Sequence, residues 1–209
     1  MSTKIKNKSN KILKNISINY VELDENQNKI STKQVPVEIS LKRDEKALIK
    51  IIPQNYTYTI DIIGYSYETE DYNVNVDLNE NTANIEKLSN LEEKQKELED
   101  MLKYDILEIY DFKGIDDTSY KVKIKNNSQK NLGNIILKVA EKNSDGEYIS
   151  VSNISNNSTL KAKDFSALML NSTDKENTLE IIGYTYDDIE NKSNIDIDLK
   201  TNTASIVRN

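Results

Sequence analysis

The chain has no cysteine, no histidine and no tryptophan, and only two prolines and five glycines among 209 residues. Each absence removes a class of chemistry. Without cysteine there are no disulfides, thiolate metal sites or cysteine nucleophiles. Without histidine the commonest general base, the commonest transition-metal ligand and the third member of most catalytic triads are gone. Without tryptophan the strongest platform for stacking a sugar is missing. The glycines stand scattered at 64, 114, 133, 146 and 183, so no glycine-rich loop can cradle a phosphate. No apolar run approaches the roughly eighteen residues that span a bilayer, so membrane insertion is not expected. Positive charge is also short. The net charge is −7 and the pI about 4.9, which argues against nucleic acid and against a polybasic membrane anchor. Met1 through Lys6 has no apolar core of a signal peptide. That leaves two readings open, a cytoplasmic protein and a fragment whose signal has been left out.

What is present is a repeat. Ile62-Ile63-Gly64-Tyr65-Ser66-Tyr67 returns as Ile181-Ile182-Gly183-Tyr184-Thr185-Tyr186, and Lys4-Ile5-Lys6-Asn7-Lys8-Ser9 as Lys123-Ile124-Lys125-Asn126-Asn127-Ser128. Both pairs are 119 residues apart, whereas Thr82-Ala83-Asn84-Ile85 and Thr203-Ala204-Ser205-Ile206 are 121 apart. A match in register over this length is a duplication with a two-residue insertion in the second copy. The insertion is expected in the loop Asp187–Asn194 against Thr69–Asn73, because an extra residue within a strand would flip its faces. The abundance of Lys, Asn and Ile fits an AT-rich bacterial genome.

Both copies read as β. Val74 through Leu78 and Ile195 through Leu199 alternate apolar and polar residues, as do Ile16 through Tyr20 and Val35 through Leu41. Six strands per copy are expected, near 3–8, 15–23, 29–34, 46–53, 56–68 and 72–86, then 119–127, 134–142, 147–153, 163–171, 178–187 and 193–207, with a possible split of the last at Asn202. Ser144-Asp145-Gly146-Glu147 is a hairpin turn whose glycine takes positive φ without strain. Its counterpart is Glu25-Asn26-Gln27-Asn28, where asparagine is expected to do the same work. One segment differs. Ser89-Asn90-Leu91-Glu92 is a capping box, followed by good helix formers, with Leu88, Leu91, Leu98 and Leu102 at heptad spacing around Gln95. It reads as a connecting helix, with a short self-associating coiled coil as the alternative. The expectation is all-β: two tandem immunoglobulin-like antiparallel β-sandwiches at 1–87 and 105–209, joined by one short helix at 88–104. A small barrel is the runner-up.

Candidate chemistry is sparse. Asp187, Asp188, Glu190, Asp196 and Asp198 could hold calcium through oxygen ligands. They read equally as a solvated loop and a strand's polar face. Paired carboxylates could hydrolyse a glycosidic bond, yet no pair is set apart by apolar surroundings. Tyr65/Tyr67 and Tyr184/Tyr186 offer rigid contact area with a hydroxyl handle, but their recurrence mid-strand favours a core-edge role. Gly64 and Gly183 are expected at a bulge or a close backbone approach. Asn126, Asn157, Asn171 and Asn191 head Asn-x-Ser/Thr triplets, which an asparagine-rich bacterial chain contains by chance. No catalytic, metal or cofactor-binding residue is assigned.

The stretch from Tyr104 to Leu170 resembles the FxLYD-type immunoglobulin-like domains of bacterial envelope proteins. The likeness rests on Tyr120-Lys121-Val122-Lys123-Ile124-Lys125-Asn126-Asn127-Ser128, on Gly133-Asn134-Ile135-Ile136-Leu137-Lys138-Val139, and on Asp145-Gly146. Where the family's name motif would stand, the chain has Leu137-Lys138-Val139-Ala140-Glu141, and in the first copy Tyr20-Val21-Glu22-Leu23-Asp24. The resemblance implies the sandwich fold and the cell surface, and brings no catalytic residue.

The function expected is that of a non-enzymatic structural or adhesive protein of a bacterial surface or protein assembly. Its partners are proteins, with self-association into a homo-oligomer or filament by strand complementation as one form. A carbohydrate- or ligand-binding module and a cytoplasmic scaffold are the alternatives. The motive for strand complementation is an asymmetry. The segment 105–112 reads as a first strand for the second copy, and nothing in the chain stands in the equivalent place before Met1; three outcomes are open for that edge, bonding to water, 105–112 packing back on the first copy, or a strand from a neighbouring subunit or an upstream region.

Overall fold

The computed structural model describes residues 1–88 and 107–208. All fifteen elements among them are β-strands. The helix expected over 88–104 lies outside the described residues apart from Leu88, whose N–H closes a hairpin on the Asp71 carbonyl at 2.8 Å. Two compact units emerge: one holds the strands before residue 88 together with Gly146–Ile149, and the other holds the rest of the described chain.

In the first unit β1 (Ser2–Lys6) pairs antiparallel with β4 (Lys46–Lys50). A five-stranded sheet runs β3 (Lys29–Pro36), β2 (Lys14–Leu23), β5 (Thr59–Glu68), β6 (Tyr72–Asp77), β7 (Thr82–Lys87). In the second unit β8 (Leu107–Gly114), β9 (Ser119–Asn126) and β12 (Phe165–Asn171) form one sheet in the order β12-β9-β8. Beside them runs β11 (Tyr148–Asn156), β10 (Leu132–Lys142), β13 (Thr178–Asp188), β14 (Ser193–Asp198), β15 (Thr203–Arg208). The protein is thus all-β, with antiparallel sheets in a sandwich-like arrangement. The second unit's core shows why: Leu107, Val122, Ile124 and Leu170 of one sheet meet Leu137, Tyr184, Tyr186 and Ile197 of the other. Alternation along each strand turns those side chains inward and leaves the polar ones out. Ile16, Ile18 and Tyr20 of β2, with Ala47 and Ile49 of β4, do the same in the first unit.

The strand order of the two units is the same, β1 through β7 standing where β9 through β15 stand. The registers agree too. Gly64 faces Asp77 and Tyr67 faces Val74; Gly183 faces Asp198 and Tyr186 faces Ile195. These pairs keep their phase across the β5–β6 and β13–β14 connections, so the two extra residues sit in that hairpin loop. Left-handed residues recur as well: Asn15 with Asn134, Asp44 with Lys163, Asn81 with Asn202.

Three local expectations are sharpened. The final strand of each unit is two strands, split at Asn202 in the second as the sequence allowed and at Asn81 in the first, because these residues at φ 56° and 53° turn the chain. The strand expected from Tyr56 begins only at Thr59. In the first unit's hairpin the positive φ falls on Gln27, at 64°, and not on an asparagine; Asp24 anchors the turn by accepting from the Asn26 and Asn28 N–H groups.

Gly64 and Gly183 serve both roles expected of them. Each lies at a register shift, with Ile63 or Ile182 as the extra residue of a bulge. A Cβ at either would overlap the carbonyl oxygen of Val76 or Ile197 on the neighbouring strand. The bulge carbonyls are satisfied, Ile63 by the Leu78 N–H and Ile182 by the Leu199 N–H, both at 2.9 Å.

Candidate functional site

The repeated Lys-Asn-x-Ser segment is a structural clamp. At the end of β9, Asn126 is buried and its Nδ2 donates to the carbonyls of Lys130, Leu160 and Lys161 at 2.7–3.1 Å. Its Oδ1 accepts from the Ser128 N–H and hydroxyl. Asn7 repeats this at the end of β1, donating to Lys11 and Leu41 and accepting from Ser9. Such a side chain gives loop carbonyls a second donor and ties two loops to the end of one strand. In both units it therefore fixes where the clamp strand lies, and the sequon at Asn126 is spent on this role.

A second repeated group was not picked out from sequence. Glu22 is wholly buried at the end of β2 and accepts from Ser31, Lys33 and the Gln54 N–H. Glu141 stands in the same place on β10, accepting from Ser150, Ser172, Thr173 and Asn177. Burial pushes the Glu141 pKa up, but the hydrogen bonds from Asn177, Thr173 and Ser172 outweigh it and leave it lowered to about 2. Glu22 is likewise raised by burial and lowered further by Lys33 and Ser31, for a net lowering. A carboxylate held ionised by its donors is a tether for the loop after β4 or β12, not a proton donor. Sharing a repeat position was the signal that could have found it.

Of the five acidic residues weighed for calcium, four are engaged in separate tasks. Asp187 bonds Asn134 and Asn194; Asp188 accepts from Lys130 and from the Glu190 and Asn191 N–H groups. Asp196 pairs with Lys138 at 2.7 Å, and Asp198 caps the turn at Lys200 and Thr201. Among the described residues no group of three or more acidic side chains converges as metal ligands would. The tyrosine pairs stack, with ring centroids 6.3 Å apart in both units. Tyr184 and Tyr186 are core residues, and burial raises the Tyr186 pKa. A shallow depression over Gly64 is lined by Asn19, Asn75, Asp77, Thr82 and Asn84; it holds no aromatic side chain.

The units differ most beside β1 and β9. In the second, β8 lies along β9, with Glu108 facing Lys125, Ile109 facing Ile124 and Tyr110 facing Lys123. Leu107 enters the core, Ile109 and Ile206 pack against it, and Phe112 stacks on Tyr120 at 5.4 Å. Lys123 sits 2.6 Å from Asp111, and the hydrogen bonds of Lys113 and Lys123 hold that carboxyl at about 2. In the first unit no described residue pairs with the corresponding side of β1. The equivalent positions are less covered: Val122 and Ile124 are 0% exposed, but Thr3 and Ile5 only half-buried. Tyr65 and Tyr67 are half-buried where Tyr184 and Tyr186 are buried. Ile85 is 61% exposed where Ile206 is half-buried. A second exposed apolar feature is the loop before β5, where Ile52, Tyr56 and Tyr58 project into solvent, Tyr56 at 86%.

No protein-family profile matches the chain, and no curated protein does. Among solved structures it is similar to a red sea bream transglutaminase (10% identity, TM-score 0.27, 90% of this chain and 26% of that one). It is also similar to an exo-chitosanase of Amycolatopsis orientalis (13%, 0.23, 100% and 25%) and to β-glucuronidase 2 of Bacteroides uniformis (11%, 0.22, 98% and 25%). The chain spans about a quarter of each, and at these TM-scores the likenesses carry no argument about it.

Proposed function

We infer that the chain is a non-catalytic protein of a bacterial surface or protein assembly, built of two immunoglobulin-like sandwiches in tandem and acting through protein–protein contacts. The observation that carries this is the side of β1 with which no described residue pairs. In the second unit β8 covers the corresponding side of β9. Unpaired strand edges beside apolar surface are templates for another chain. The resemblance to FxLYD-type domains supports the sandwich and the cell surface. The dispersal of the acidic residues, with no histidine or cysteine in the chain, supports a role other than catalysis.

The test is sedimentation and light scattering across concentration and with candidate partners, on the intact protein and on a variant with Ser2, Lys4 and Lys6 all changed to Asp. Contacts that form with the intact chain and are lost in a folded variant support the reading. A protein that forms none, or forms them equally with the variant, overturns it. A second reading, a carbohydrate- or ligand-binding module, is favoured by the exposure of Tyr56 and Tyr58. Saturable quenching of tyrosine fluorescence by a glycan, lost in Tyr56→Ala, would select it.

A further inference from the structure

The units also differ over their bulge glycines. Gly64 stands between Asn19 of β2 and Asp77 of β6, and Gly183 between Lys138 of β10 and Asp198 of β14. No side chain can rise from either glycine, because a Cβ there would lie 2.5 Å or 2.4 Å from a backbone oxygen of the next strand. The face turned away from the core is therefore left with a gap over the central strand. In the second unit Lys138 bridges that gap. Its Nζ donates to both carboxylate oxygens of Asp196, at 2.8 Å and 2.7 Å, from two strands away. In the first unit the same two positions hold Asn19 and Asn75. Backbones two strands apart are separated by about 9–10 Å, a span suited to a lysine stem and too long for an asparagine. What stands over Gly64 is an open depression of about 290 Å³.

We propose that this depression binds a primary alkylammonium group from outside the chain, in the place where the second unit keeps its own. The lining selects that chemistry. It holds two carboxylates, Asp77 and Glu80, and no lysine or arginine, so the negative charge that Lys138 balances in the second unit has no counterpart here. The Asn79 and Glu80 N–H groups donate to Asp77 Oδ1 at 2.8 Å and 3.0 Å, which fixes that carboxylate at the β6–β7 turn. Asn19 and Asn75 add amide oxygens from the opposite side and the floor. An ammonium has three donors to distribute and no acceptor to satisfy, and acceptors on three strands suit it. Calcium fits less well. It takes six to eight oxygens, and among the described residues no three acidic side chains converge. An anion would meet like charge, and a sugar would find no aromatic face. The site is independent of the contact surface inferred along β1.

The probe is n-butylammonium chloride, titrated into the intact chain at constant ionic strength and followed by amide NMR spectra, with n-butanol and sodium chloride as controls. The expected result is a saturable shift of the Gly64 amide and of the Asn19 and Asn75 side-chain amides, half complete at about 1–20 mM. Gly183, the internal control, should not move. Asn19→Lys combined with Asn75→Asp supplies the second unit's own pair and should weaken binding at least about tenfold. The converse, Lys138→Asn with Asp196→Asn, should open a second saturable site reported by the Gly183 amide, a gain that a misfolded variant could not give. Spermidine and a blocked Gly-Lys-Gly peptide then separate the two sources of such a group, a free polyamine and a protein's lysine, by which saturates the site at lower concentration. No saturable shift up to about 0.1 M amine overturns the proposal. So do equal shifts with n-butanol or sodium chloride, and saturation by calcium chloride at lower concentration than by the amine. Undiminished binding to the Asn19→Lys, Asn75→Asp protein overturns it too.

Discussion

At the scale of single residues, the fold depends on two buried polar side chains that each unit uses in the same way. Asn126 supplies three donor contacts and two acceptor contacts to its loops, so Asn126→Ala removes a whole buried set of hydrogen bonds and leaves the Ser128 N–H without its acceptor. Urea unfolding should show a loss of about 2–3 kcal/mol. Glu141 gives a pH signature. Its pKa is lowered from 4.5 to about 2, so its ionised form contributes stability above about pH 4.5 that disappears as pH falls toward 2. The stability gap between the natural protein and Glu141→Gln should therefore be widest above pH 5 and shrink steadily between pH 4.5 and 2. A gap constant over that range would remove the role assigned to this carboxylate. Neither residue was legible as it functions. Asn126 reads as the head of a sequon, and Glu141 as an ordinary polar residue of an alternating strand. Glu141 is in phase with Leu137 and Val139 on the buried face, and the loop carrying Ser172, Thr173 and Asn177 supplies it with donors that nothing local in the sequence announces.

At the scale of elements, period-two alternation placed nearly every strand, because half-buried antiparallel strands have one core face. The miss at Tyr56–Tyr58 has a simple cause. Aromatic and β-branched residues favour a pleated surface, but propensity does not say that a neighbour is there to pair with, and here Tyr56 and Tyr58 stand in solvent. The bulge glycines were legible through their recurrence. Gly183→Ala should cost about 3 kcal/mol and loosen β14, since the new methyl meets a backbone oxygen that cannot move without breaking the ladder. Calorimetry checks it. The hairpin turns give the opposite sign. Gln27 holds the left-handed φ that Gly146 holds in the second copy of the repeat, so Gln27→Gly should stabilise by about 0.5–1 kcal/mol, and Gly146→Gln should destabilise. Equal and opposite effects of the other sign would mean the turn is held by Asp24 and its donors alone.

At the scale of the whole molecule, duplication supplied two copies of one strand order, and one strand distinguishes them. That difference was partly legible: the apolar segment 105–112 reads as an extra strand, and β8 occupies 107–114. Its consequence was not, because only the three-dimensional equivalence of Ile85 with Ile206 and of Ile5 with Ile124 shows how much surface stays exposed where no described strand lies beside β1. The central claim is that the first unit's layer is open along β1. Amide hydrogen exchange of the intact protein by NMR reads it most directly, comparing Lys6 with Lys125, its counterpart beside β8. The account predicts that the Lys125 amide is protected at least about tenfold more than that of Lys6. Equal protection of the two in dilute protein would contradict it.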